Sequence, residues 1–125
     1  MDWSGSDNEP STLVHLADAR RARLDIPVSF DRRELDAILR LYGRMVAANE
    51  WRDYAIDHLK DRAVFSVFRR TSETPLFQIV KDPSLARRQG AYSVMSATGA
   101  TLKRGHELDR VLDGAFARTL KLVGA

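Results

Sequence analysis

The sequence predicts an α+β domain: an antiparallel sheet of four to five strands in a meander, with an N-terminal and a C-terminal helix packed on it. Three observations carry this. A helical period of apolar residues begins after Phe30, and a second runs to Leu122. Between them lie short runs with the two-residue alternation of strands. The connections between those runs are too short for the crossovers that parallel neighbours need, so the strands pair antiparallel.

The first helix has the clearest signals. Asp31 followed by Glu34 makes a capping box, in which each side chain accepts a hydrogen bond from the other's backbone N–H. Phe30 before the cap and Leu35 in the first turn are spaced as a hydrophobic staple. Leu35, Ile38, Leu39, Tyr42, Met45 and Val46 then recur at spacings of three and four, one apolar stripe over 32–48. Asn49 tolerates the left-handed conformation that ends a helix. Trp51, directly after it, is expected to close the corner between helix and sheet, the alternative being an exposed anchor.

Strands follow over 52–58, 63–70, 76–81 and 91–97, with a short fifth over 100–104. In the first, Tyr54, Ile56 and His58 share a face, and His58 is expected to be half-buried there. The second carries Phe65 and Val67 on one face and Val64 and Phe68 on the other, the mark of a central strand covered on both sides. A helix, the N-terminal tail or a second subunit would supply the second cover. Residues 71–75 read as a turn and 82–90 as a polar loop. Thr98-Gly99 reads as a hairpin turn, because glycine accepts positive φ. The closing helix spans 107–122, with Leu108, Val111, Leu112, Ala115, Phe116, Thr119 and Leu122 on its buried side.

Residues 1–28 read as a flexible tail and 29–125 as a single domain. The first twelve residues are small and polar, with no apolar period. Leu13, Val14, Leu16 and Leu24, set around Arg20, Arg21 and Arg23, suit a brief helix or a docking segment.

At 125 residues the chain suits one domain, and its 44% hydrophobic and 30% charged residues exclude wholesale disorder. No run of 18 apolar residues predicts a membrane span, and the N-terminus has neither the basic start nor the apolar core of a secretory signal. A cytoplasmic location is the resulting expectation. The absence of cysteine excludes disulfides, thiol catalysis and thiolate metal sites.

Catalytic motifs are lacking. His15, His58 and His106 have no spacing that sets two imidazoles around one ion, so no metal is expected. There is no nucleophile elbow, Walker loop or dinucleotide fingerprint, and no cofactor is implied. Asp53 and Asp57 share a strand face about 13 Å apart, too far for a glycosidase pair.

Charge is more informative. The net charge is +3, but residues 60–104 hold nine basic and three acidic groups. In a meander, the turn at 59–62, the loop at 82–90 and the end of the last strand fall at one end of the sheet. This gathers Lys60, Arg62, Arg87, Arg88, Lys103 and Arg104 at a single rim. Gly105 and His106 then lead into the second helix, whose free N–H groups favour anions. Gly105 is expected to let a phosphate approach the backbone. The candidate site is therefore an anion or phosphate-backbone site at Lys60, Arg62, Arg87, Arg88, Lys103, Arg104, Gly105 and His106. The competing reading is a solvated face, partly neutralised by Asp61, Asp82 and Glu107.

Several segments carry a resemblance. Phe30 to Leu35, Leu41 to Ala48, Glu50 to Asp57, Ala63 to Arg70, Ala86 to Val94 and Leu102 to His106 together resemble DUF2794, a small bacterial family of unknown function typical of proteobacteria. The resemblance covers roughly 29–112. It implies a bacterial intracellular setting, and it brings no activity, cofactor or catalytic residue.

The expected function is a non-catalytic binding module. It would meet a protein partner, or its own twin across a sheet edge, or the phosphate backbone of nucleic acid at the basic rim. A ligand-binding domain or small enzyme with His106 as proton carrier is the further alternative. It requires a concave apolar pocket beside Gly105.

Overall fold

The computed structural model describes residues 26–70 and 74–122. The tail over 1–25, residues 71–73 of the turn at 71–75, and Gly124 lie outside the described residues. Helix α1 spans Arg32–Ala47. Five strands follow: β1 (Asp53–His58), β2 (Ala63–Phe68), β3 (Phe77–Lys81), β4 (Tyr92–Ser96) and β5 (Thr101–Gly105). Helix α2 spans Leu108–Leu122. The strands form one antiparallel sheet in the order β1-β2-β3-β4-β5, the simple meander that the short connections require.

Local chemistry accounts for the elements. Asp31 Oδ1 accepts from the Glu34 N–H at 2.8 Å, and Glu34 Oε1 accepts from the Asp31 N–H at 2.8 Å, so the capping box is complete. Asn49 stops α1 at φ 63°. Gly99 turns the β4–β5 hairpin at φ 87°. The loop after β3 contains a 3₁₀ turn, Pro83–Leu85, started by Asp82, whose carboxylate accepts from the Ser84 N–H at 3.1 Å and hydroxyl at 2.6 Å.

Both helices pack on one face of the sheet. There Ile38, Leu41 and Met45 of α1 and Val111, Leu112 and Phe116 of α2 meet Phe65, Val67, Ile79 and Val94 in one core cluster. Val28 and Phe30 join the same cluster, and the Val28 N–H donates to the Leu59 carbonyl at 2.9 Å. Trp51 is buried at the corner as expected. Its ring lies 5.3 Å from Phe116, 6.2 Å from Tyr42 and 6.4 Å from Phe77.

The outer face is also shielded in its middle. Val64, Ser66, Val80 and Ser93 point away from the helices, yet they are buried and lie outside the core cluster. Strand β2 is thus covered on both sides, as its sequence indicates. His58 departs from expectation. As the last residue of an edge strand it has a neighbour on one side only, and it is exposed rather than half-buried.

Candidate functional site

One row of paired residues fixes the geometry of the site. His58 pairs with Ala63, Ala63 with Lys81, Lys81 with Tyr92, and Tyr92 with Gly105. All five strands are therefore flush at this end. At about 4.8 Å per strand, the rim is about 19 Å wide. Each of the three connections that the sequence places at the rim leaves from this row.

The helices add to it. Helix α1 starts beside the row, where Glu34 reaches Lys81, and runs toward Trp51 at the far end. Helix α2 starts directly after Gly105 and runs the same way, bringing Phe116 to Trp51. The two helices are parallel, and both present their positive N-terminal ends at the rim. Between those ends lies a cleft of about 370 Å³, bounded by Arg33 and Arg40 on α1 and by His106, Glu107 and Asp109 at the start of α2. A second cleft, of about 340 Å³, lies between the end of β5 and α2, with Lys103, Arg104, His106 and Arg110 on its walls.

The expected residues take up these positions. Lys60 and Arg62 are exposed on the β1–β2 turn, which the Leu59 N–H closes by donating to the Arg62 carbonyl at 2.8 Å. Arg87 and Arg88 are exposed on the β3–β4 connection. Arg104 is half-buried on the outer face opposite Ser93, and His106 is exposed. Lys103 lies one pair further in, on the helix side opposite Val94, and its stem runs over Gly114. A Cβ at Gly114 would stand 2.8 Å from Lys103 Cε, so this helix glycine makes room for the lysine.

Two of the three expected neutralising groups have partners of their own, while Asp61 is exposed on the β1–β2 turn between Lys60 and Arg62. Asp82 caps its own 3₁₀ turn, and Glu107 pairs with Arg110 at 3.2 Å. Among the described residues, Arg62, Arg88, Lys103, Arg104 and His106 make no ion pair.

Gly105 has a different reason from the expected one. A Cβ on Gly90, which sits at φ 99°, would stand 2.1 Å from the Gly105 carbonyl carbon and oxygen. The loop bearing Arg87 and Arg88 is thereby pressed against the end of β5. The close approach at Gly105 is made by the chain's own backbone.

Pattern reading missed a network beneath the rim. Lys81 Nζ donates to Glu34 Oε1 at 2.8 Å and to the Ser29 carbonyl at 2.9 Å, and the Tyr92 hydroxyl donates to Glu34 Oε2. The carboxylate thus receives the Asp31 N–H, an ammonium and a phenol. Burial, then the bond to Glu34, pushes the Tyr92 phenol well above its ordinary pKa. One signal pointed there: Lys81 is in phase with Phe77 and Ile79, and a charge on a core-facing position needs a partner.

These features define a class: a helix-layered antiparallel meander with exposed basic side chains on the connections at one end of its sheet. The family profile described as a protein of unknown function, DUF2794, matches residues 28–112. The chain belongs to that family. No match was found among curated proteins or among solved structures. Among the described residues no helix is long and apolar enough to cross a membrane, and no three His, Asp or Glu side chains are gathered as for a metal ion.

Proposed function

We propose that the domain is a binding module that engages a polyanionic partner, the phosphate backbone of nucleic acid, with the flush end of its sheet. The observation that carries this reading is the set of basic side chains that make no ion pair among the described residues: Arg62 and Arg88 on two of the connections, and Lys103 and Arg104 further in on β5, close to His106. A duplex carries one phosphate charge per about 1.7 Å of axis, so a rim about 19 Å wide passes about eleven of them. The contact is electrostatic. Among the described residues Trp51, Tyr42, Phe77 and Phe116 cluster at the other end of the sheet, and Tyr92 in the rim row spends its hydroxyl on Glu34, so stacking on bases does not carry the contact.

A small enzyme is less well supported. His106 is exposed, and no described residue hydrogen-bonds it, so nothing sets its ring for proton transfer. A protein partner, or a twin subunit, at a sheet edge is the second reading, favoured by β1 and β5 each pairing on one side only.

The test is a triple reversal, Arg87→Glu, Arg88→Glu and Arg104→Glu, read by fluorescence anisotropy on a labelled duplex. Affinity at least about tenfold weaker with unchanged circular dichroism is expected. Equal affinity overturns the reading.

A further inference from the structure

The cover of the outer sheet face can be identified by elimination. Asp57, Val64, Val80, Ser93 and Arg104 form one row across that face. Its centre is hidden from solvent: Val64 is 6%, Val80 8% and Ser93 2% exposed, and Ser66 in the next row is 3% exposed. None of the four belongs to the cluster beneath the helices. Strand neighbours shield the flanks of such side chains and leave their tips wet, so exposure this low calls for a further cover above them. No described element is on that side.

Three stretches remain. Residues 71–73 and 123–125 are three residues each, too short to span three strands. The 25 residues before Ile26 are long enough. They join the domain at Val28, which is bonded to Leu59 at the end of β1, next to Asp57 and Val64. At about 3.3 Å per residue, ten residues reach about 33 Å, more than the width of the sheet.

Composition and charge agree. The stretch holds Leu13, Val14, Leu16 and Ala17, followed by Arg20, Arg21 and Arg23. The β1 edge of the outer face carries Asp53 and Asp57. We propose that the outer face is a docking surface for the chain's own N-terminal segment, with Leu13–Ala17 over Val64, Val80 and Ser93 and the arginines at the Asp53–Asp57 edge. This surface meets the cationic rim at Arg104, and the inference stands whether or not the rim binds polyanions.

The absence of cysteine makes the test clean. In the full chain, Ser93→Cys supplies a single thiol. It is expected to react with a maleimide on the order of a hundredfold slower than a thiol at exposed Thr98→Cys. Adding Leu13→Asp and Leu16→Asp should bring Ser93→Cys to the exposed rate. The same pair added to Ala63→Cys, on the helix face, should leave that thiol protected, which separates local uncovering from unfolding. Continued protection of Ser93→Cys in the presence of the aspartates overturns the proposal. So does protection that weakens on dilution while the sedimenting mass halves, since a second copy would then be the cover. If the aspartate variant does not fold, Leu16→Cys with Val80→Cys in the otherwise unchanged chain decides. A cross-link at monomer mass from a short bis-maleimide is expected, and its absence refutes the proposal.

Discussion

Replacing Glu34 or Lys81 probes the network that ties α1 to the sheet. The two side chains are 10% and 19% exposed and meet at 2.8 Å, so removing one partner leaves a largely desolvated charge. Glu34→Gln keeps the shape and the helix cap but removes the carboxylate charge that holds the Lys81 ammonium. Lys81→Met keeps the stem and deprives both Glu34 and the Ser29 carbonyl of a donor. Each change should cost about 3 kcal/mol, the low end for a buried pair because both groups retain some water. With an m-value of about 1.5 kcal/mol/M, the urea midpoint falls by about 2 M in either variant. The double variant should cost about 2 kcal/mol less than the sum, because the second change no longer strands a partner. Urea unfolding followed by far-UV circular dichroism measures all three. Single-variant losses under about 1 kcal/mol, or strict additivity, would refute the claim that these groups form one buried network.

Other expectations follow from the same geometry. Gly90→Ala should cost several kcal/mol, more than about 3, since its Cβ would meet Gly105 backbone at 2.1 Å; Gly99→Ala faces open space at φ 87° and should cost only about 1 kcal/mol, and thermal unfolding compares them. Gly43→Ala, in α1 with nothing within 4 Å of the added Cβ, should raise stability by about 0.5–1 kcal/mol in the same assay. Alkaline pH should weaken the fold through Tyr92. Its folded pKa lies above the unfolded value of 10.0, so the folded state holds the proton longer, and stability is full below pH 10 and falls as pH rises beyond it. Urea midpoints between pH 8 and pH 11 should fall more steeply in the native chain than in Tyr92→Phe; equal slopes would show that Tyr92 contributes nothing to the dependence.

Much of the fold is legible because its determinants are local. Asp31 and Glu34 announce the start of α1, Asn49 its end, and Gly99 the last hairpin. Short connections leave a meander as the only sheet order, and that order alone brings the rim residues to one end. What escaped pattern reading depends on contacts distant in sequence. Glu34 and Tyr92 meet across 58 residues, and capping alone was sufficient to explain the glutamate. Gly105 suggested room for an anion because glycine is permissive, and only the folded chain shows Gly90 occupying that room. Lys103 was assigned to the rim by proximity in sequence, whereas strand alternation turns it toward α2 and Gly114.

In the proposed function the flush end of the sheet binds polyanions through charge. The salt dependence of duplex binding tests it most directly. With four or five phosphates neutralised by rim cations, log K should fall against log salt with a slope of about −4. The triple reversal at Arg87, Arg88 and Arg104 should flatten that slope by about 2 to 3. No binding at low salt, or a slope near zero, would contradict the claim.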